Sequence, residues 1–128
     1  MTKIPPPMET NPYAIFNREL KVGDQVVLVD QEGYLQNLEE WSDDFVKALA
    51  AQEGLALTEE HWDVIFFIRN YYQEHQVQPQ VRDMIKHFRE VWDSDRGNNH
   101  YLHDLFPRGG PQKQGNRLAG IRRTKGEH

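Results

Sequence analysis

Between Trp41 and Gly120 the chain opens a helix five times, and each opening is marked by residues that leave little room for another fold. Ser42 is a good N-cap, with Asp43 and Asp44 in the first turn and Gly54 as the stop. The hydroxyl oxygen accepts an otherwise unsatisfied backbone N–H, and the acids sit at the positive end of the helix dipole. Thr58, followed by Glu59 and Glu60, repeats the device. Trp41 and Val46, then Leu57 and Trp62, stand at the flanking positions where a hydrophobic staple closes over a cap. The second helix is predicted to run to about His75 as the central one, with Trp62, Ile65, Phe66, Arg69 and Tyr72 along one stripe, widened by Phe67, Ile68 and Tyr71. Pro79 suits the first turn of a third helix whose buried side is Val81, Ile85 and Phe88. Asn98-Asn99 opens a fourth over His100 to Phe106, ended by Pro107, and Pro111 opens a fifth ending at Gly120. Trp41, Trp62 and Trp92 are core candidates first.

Ahead of the helices, Leu20 to Leu35 reads as a small β element. Gly23-Asp24 makes a tight turn between Leu20–Val22 and Gln25–Val29, and Asp30 to Gly33 makes a second. Val26 to Val29 suits a strand covered on much of its surface. The chain is thus expected to be mainly α (α+β). Residues 1–19 form an extended Pro-rich lead-in, 20–120 a single domain, and 121–128 a tail with no reason to fold on its own.

No cysteine occurs in the 128 residues, which excludes disulfides, thiolate metal sites, thiol nucleophiles and persulfide chemistry on the chain's own side chains. No apolar run approaches the roughly 18 to 20 residues that span a bilayer, and the first residues have no signal-type apolar core. The expectation is a cytoplasmic protein without membrane contact. The net charge of −5 is unevenly spread. Residues 108–128 hold six basic side chains against the lone acid Glu127, while the rest holds nine bases against nineteen acids. A basic arm on an acidic body can lie on that body, bind an acidic partner surface or touch phosphate.

Five motifs, in order, connect these elements to a known pattern: DQEGYL at Asp30–Leu35 with Trp41-Ser42, EGLALTEEHWDVIFFIRNYY at Glu53–Tyr72, GNNHYLHDLFP at Gly97–Pro107, GGPQKQ at Gly109–Gln114, and LAG at Leu118–Gly120. In this order and spacing the chain resembles the DsrC/TusE family of sulfur-relay proteins, related to the gamma subunit of dissimilatory sulfite reductase. The resemblance implies an orthogonal bundle of about five helices with an N-terminal β-hairpin and a flexible C-terminal arm. It also implies a carrier cysteine one residue before the end, where this chain has Glu127, and in some members a second one eleven residues earlier, where it has Asn116. Arg122, Arg123 and Thr124 stand where the family often has Pro-Lys-Pro. Its implied partners are proteins of sulfur-relay or sulfite-reductase type.

Without a thiol, sulfur carriage by the chain's own side chains is chemically excluded, and the expectation is a non-catalytic, regulatory protein rather than an enzyme. Its arm would dock to sulfur-metabolism partners through Arg108, Lys113, Gln114, Arg117, Arg122 and Arg123, with Glu127 imitating the charge of a thiolate. The simpler account of Glu127 is a solvated terminal charge. The alternative function is a DNA-binding regulator reading through the third helix, where Arg82, Lys86 and Arg89 recur at i, i+4 and i+7. Asp83 and Glu90 interrupt that face, as on an ordinary solvated helix. His100, His103 and Asp104 make at most half of a metal site, so no metal or cofactor is expected. His61, in a first helical turn, is expected to be exposed. No catalytic residue stands out, and the oligomeric state is not legible.

Overall fold

The computed structural model describes residues 17–122. Its elements are β1 (Arg18–Val22), β2 (Gln25–Val29), α1 (Asp43–Gln52), α2 (Glu59–His75), α3 (Val81–Val91), α4 (Asn99–Leu105) and α5 (Gly110–Ala119). This is the mainly helical fold with an N-terminal hairpin that the sequence implied.

The hairpin is antiparallel, with Val22 opposite Gln25 and Arg18 opposite Val29, and its two-residue turn uses Gly23 at a φ of 61°. It begins at Arg18, inside the stretch expected to be lead-in. Strand alternation buries Leu20, Val22, Val27 and Val29, while Val26 and Leu28 are about half exposed. Only one face is therefore covered, because a two-stranded sheet has a single helical layer, α1, to lie on. The expected second turn is held by one carboxylate: Asp30 Oδ1 accepts the backbone N–H groups of Glu32, Gly33 and Tyr34, each at 2.9 Å. That turn returns the chain to a bridge between Val29 and Leu35.

Ser42 caps α1 as anticipated, its Oγ accepting Phe45 N–H at 3.1 Å. The helices close around Phe45, Leu49, Ile65, Ile68, Met84, Phe88, Leu102, Phe106 and Leu118, each almost fully buried. On α3 it is Met84 and Phe88 that reach the core, while Val81 and Ile85 are only partly covered, so the buried stripe is rotated from the expected one. α5 packs against α2, α4 and α1 and is buried along most of its length. Ile121, read as the start of an unfolded tail, is also buried.

Candidate functional site at the root of the carboxy-terminal arm

Glu53, the residue that ends α1, is the point to which the first half of the arm is tied. Arg117 donates to its carboxylate twice, Nε to Oε2 at 3.0 Å and Nη2 to Oε1 at 3.2 Å. Gln114 Nε2 donates to Oε1 at 2.7 Å. Arg117 Nη2 also reaches Arg108 O at 2.8 Å, and Arg108 N–H donates to Gln114 Oε1 at 2.9 Å, so the turn before α5 is stitched to the helix itself. Both side chains of the pair are nearly inaccessible, Arg117 at 10% and Glu53 at 8%. In such a setting charge, shape and hydrogen bonding must all be matched, as they are here.

A second set of contacts holds the end of α5 through main-chain oxygens. Trp41 Nε1 donates to Leu118 O at 2.9 Å, Arg69 Nη1 to Ala119 O at 2.7 Å, and Gln78 Nε2 to Arg122 O at 2.8 Å. The three donors come from the turn before α1, from α2, and from the α2–α3 connection. The Arg69 guanidinium lies over the Trp41 ring, 3.8 Å from its centroid, and burial pushes it below the ordinary arginine range. Gly120 closes α5 at a φ of 68°, and a Cβ there would meet Trp41 Cδ1 at 2.3 Å. The left-handed turn and the close indole together require glycine.

Of the residues expected to face a partner, Gln114 and Arg117 are buried and bonded to Glu53, which corrects their expected placement. Polar side chains on α5 point inward because a carboxylate awaits them there. Arg108, Lys113 and Arg122 are exposed. Arg108 also donates to Glu53 O at 3.2 Å. Arg123 and Glu127 lie outside the described residues. Asn116, the second cysteine-equivalent position, is fully buried within α5.

Arg82, Lys86 and Arg89 are all exposed on α3. The Asp83 carboxylate that interrupts them is occupied, Oδ2 accepting Gln80 N–H at 2.8 Å. His100 Nε2 lies 3.2 Å from Asp104 Oδ2, both well exposed, while His103 Nδ1 turns to Asn99 O at 2.9 Å. Among the described residues no group of three or more His, Cys, Asp or Glu could hold a metal ion.

His61 is buried, contrary to expectation. Its Nδ1 accepts Thr58 N–H at 3.0 Å and lies 2.8 Å from Thr58 Oγ1, while Nε2 lies 2.7 Å from Leu105 O. An Nδ1 that accepts places the proton on Nε2, which therefore donates to Leu105. One imidazole thus completes the cap of α2 and ties it to the end of α4. Beside it, Glu60 accepts from Arg96 Nη1 at 2.5 Å and from the Tyr101 hydroxyl. The Glu60 carboxylate, with burial adding to it, raises the Tyr101 phenol above its ordinary value. The hydrogen bond from Arg96 holds the Asp93 carboxyl below the usual range.

A helical bundle fronted by an antiparallel hairpin is the architecture of the DsrC-type, sulfur-relay class of proteins. The chain belongs to the DsrC like protein family, whose sequence pattern matches residues 21–126. It is 41% identical to Sulfurtransferase TusE of Pectobacterium atrosepticum over 97 residues, 76% of this chain and 88% of the relative. It is 42% identical to the Sulfurtransferase TusE homolog of Haemophilus influenzae over 95 residues, 74% of this chain and 86% of the relative. The NMR structure of Allochromatium vinosum DsrC superposes with a TM-score of 0.76 at 42% identity, covering 86% of this chain and 97% of that one. The oxidized gamma-subunit of the dissimilatory sulfite reductase (DsrC) from Archaeoglobus fulgidus gives 0.78 at 36% identity, covering 85% and 98%.

The relatives' names correct one expectation. Proteins about 40% identical over three quarters of the chain are named sulfurtransferases, so the expectation of a protein outside the enzymes does not stand. It rested on the absence of any thiol in the sequence, whereas the relatives that carry the sulfurtransferase name share three quarters of the chain. Sequence reasoning also missed Glu53 and Gln78. Glu53 reads as an ordinary acid before a helix-stopping glycine, and nothing local marks it as the partner of Arg117, 64 residues away.

Proposed function

We propose that this chain serves a cytoplasmic sulfur relay as a docking member whose carboxy-terminal arm occupies the partner surfaces used by thiol-bearing relatives, and that it regulates transfer by doing so. The observation that carries this reading is the doubly anchored root of the arm. Glu53 holds α5 through Gln114 and Arg117, Trp41 and Arg69 hold its last turn, and Gln78 holds Arg122 just beyond it. The family fold and the relatives' names support a place in sulfur transfer. Sulfane sulfur passing through such a complex stays on sulfur atoms supplied by the partner, because the 128 residues contain no thiol. Arg108, Lys113, Arg122 and Arg123 supply long-range attraction to an acidic partner surface, felt mainly in the association rate and its salt dependence.

The test is calorimetric titration of the full chain into purified thiol-bearing relay and sulfite-reductase-type proteins from the same cell. Binding should compete with the thiol-bearing relative and weaken about tenfold in Arg122→Glu/Arg123→Glu. Binding to none of them, or binding indifferent to the charge reversal, overturns the docking role. Mass spectrometry finding transferable sulfane sulfur on this chain overturns the division of labour.

A second reading is supported by α3, where three exposed cations stand together and the interrupting Asp83 is engaged with Gln80. In that reading the chain regulates transcription of sulfur-metabolism genes. A gel shift weakened by Arg82→Ala/Lys86→Ala with a clear salt slope supports it, and no shift at low salt ends it.

A further inference from the structure

We propose that Arg69 anchors a binding site for a small inorganic oxyanion, of the sulfate, thiosulfate or phosphate type, in the cavity between the end of α2 and the root of the arm. The cavity has a volume of about 300 Å³, and Leu38, Arg69, Tyr72, Gln73, Gln76, Gly120 and Ile121 line it.

Arg69 is half-covered, and among the described residues it has no carboxylate within ion-pair distance. Arg96 and Arg117, by contrast, each lie on carboxylates. A guanidinium offers five N–H donors, and Arg69 places one, Nη1, on Ala119 O. The Trp41 ring covers one face of the group and fixes its plane. The remaining donors lie in that plane, which is the geometry that takes two oxygens of a tetrahedral anion at once. A cation drawn partly out of water without a counter-ion is costly, and an anion entering the cavity removes much of that cost.

Arg69 is the one charged side chain among the described lining residues, which favours an anion over a cation. Tyr72 and Gln73, both of which carry donor groups, share the lining with Arg69, and among the described residues no acid lines the cavity. Gln76 folds its own amide back onto Gln73 O at 2.9 Å, which narrows the cavity on that side. Because Arg69 also holds Ala119 O, an anion bound here sits against the last turn of α5.

The experiment is a ¹H–¹⁵N NMR titration of the full chain with sodium thiosulfate, sulfate and phosphate, each against sodium chloride at matched ionic strength. Saturable shifts are expected for the Arg69 Nε–H and the backbone amides of Gln73, Gly120 and Ile121, with the oxyanions and not with chloride. Their order of affinity identifies the source of the anion. Arg69→Gln should weaken binding at least about tenfold and Lys47→Gln, on the exposed side of α1, should leave it unchanged. Should Arg69→Gln fail to fold, the wild-type shift map with Arg69→Lys decides, since lysine keeps the charge and loses the planar fork. Shifts spread over exposed basic residues, equal shifts with chloride, or unaltered affinity in Arg69→Lys overturn the proposal.

Discussion

Arg117 and Glu53, 64 residues apart in the chain, meet through two parallel hydrogen bonds of 3.0 and 3.2 Å in a site that water scarcely reaches. Removing one partner leaves the other charged and buried. Glu53→Gln is expected to destabilise the fold by about 3 kcal/mol, read as a lower urea midpoint at unchanged slope. Replacing both members, as in Glu53→Gln/Arg117→Met, should recover part of that loss, because the uncompensated charge is then gone. An additive double variant would show that the pair is not coupled.

The buried His61 carries a different load. His61→Ala removes the acceptor for Thr58 N–H and the bond to Leu105 O together. A cost of about 2 kcal/mol is expected, with faster hydrogen exchange at the Thr58 amide and through α4. Loss of protection confined to the first turn of α2 would show that the link to α4 contributes nothing.

Tyr101 makes stability sensitive to alkali. Its folded-state phenol is raised above the ordinary value near 10 because Glu60 accepts a hydrogen bond from its hydroxyl. The folded chain therefore holds that proton more tightly than the unfolded one. The sign follows: this contribution is fully present below about pH 10 and is lost as pH rises through the folded-state value. A thermal-melting series from pH 8 upward should show an alkaline decline that Tyr101→Phe makes shallower. An identical decline in both proteins would remove Tyr101 as its source.

Gln76 ends α2 at a φ of 63°, the left-handed conformation that glycine adopts at little cost and other residues resist. Gln76→Gly is expected to raise stability by about 0.5 kcal/mol, measured by denaturant unfolding. A drop instead would mean that the Gln76 amide bond to Gln73 O outweighs the backbone strain.

What the sequence disclosed was local. The Ser42 cap, the Gly23-Asp24 turn and the Asp30 turn each depend on residues a few positions apart, and each forms. The failures are tertiary. Gln114 and Arg117 belong to a basic, polar arm whose sequence suits a partner surface, and the carboxylate that draws them inward caps the end of another helix. His61 occupies the capping-box position where Glu or Gln is the usual signal, so its double role had no local mark. The Arg69 bond to Ala119 O spans 50 residues and involves a backbone atom, which no side-chain pattern encodes. Glu127, at the position the family resemblance gives to the carrier cysteine, lies outside the described residues.

The hold on the last turn of α5 has an evolutionary corollary. There Trp41 and Arg69, and just beyond it Gln78, take hold of carbonyl oxygens, which every amino acid carries alike. The direction in which the chain leaves the bundle is thus insulated from the identity of the groups it goes on to display. A terminal segment can exchange its reactive atom for an inert one while its launching point stays put, so new chemistry at the tip can be tried without rebuilding the body beneath it.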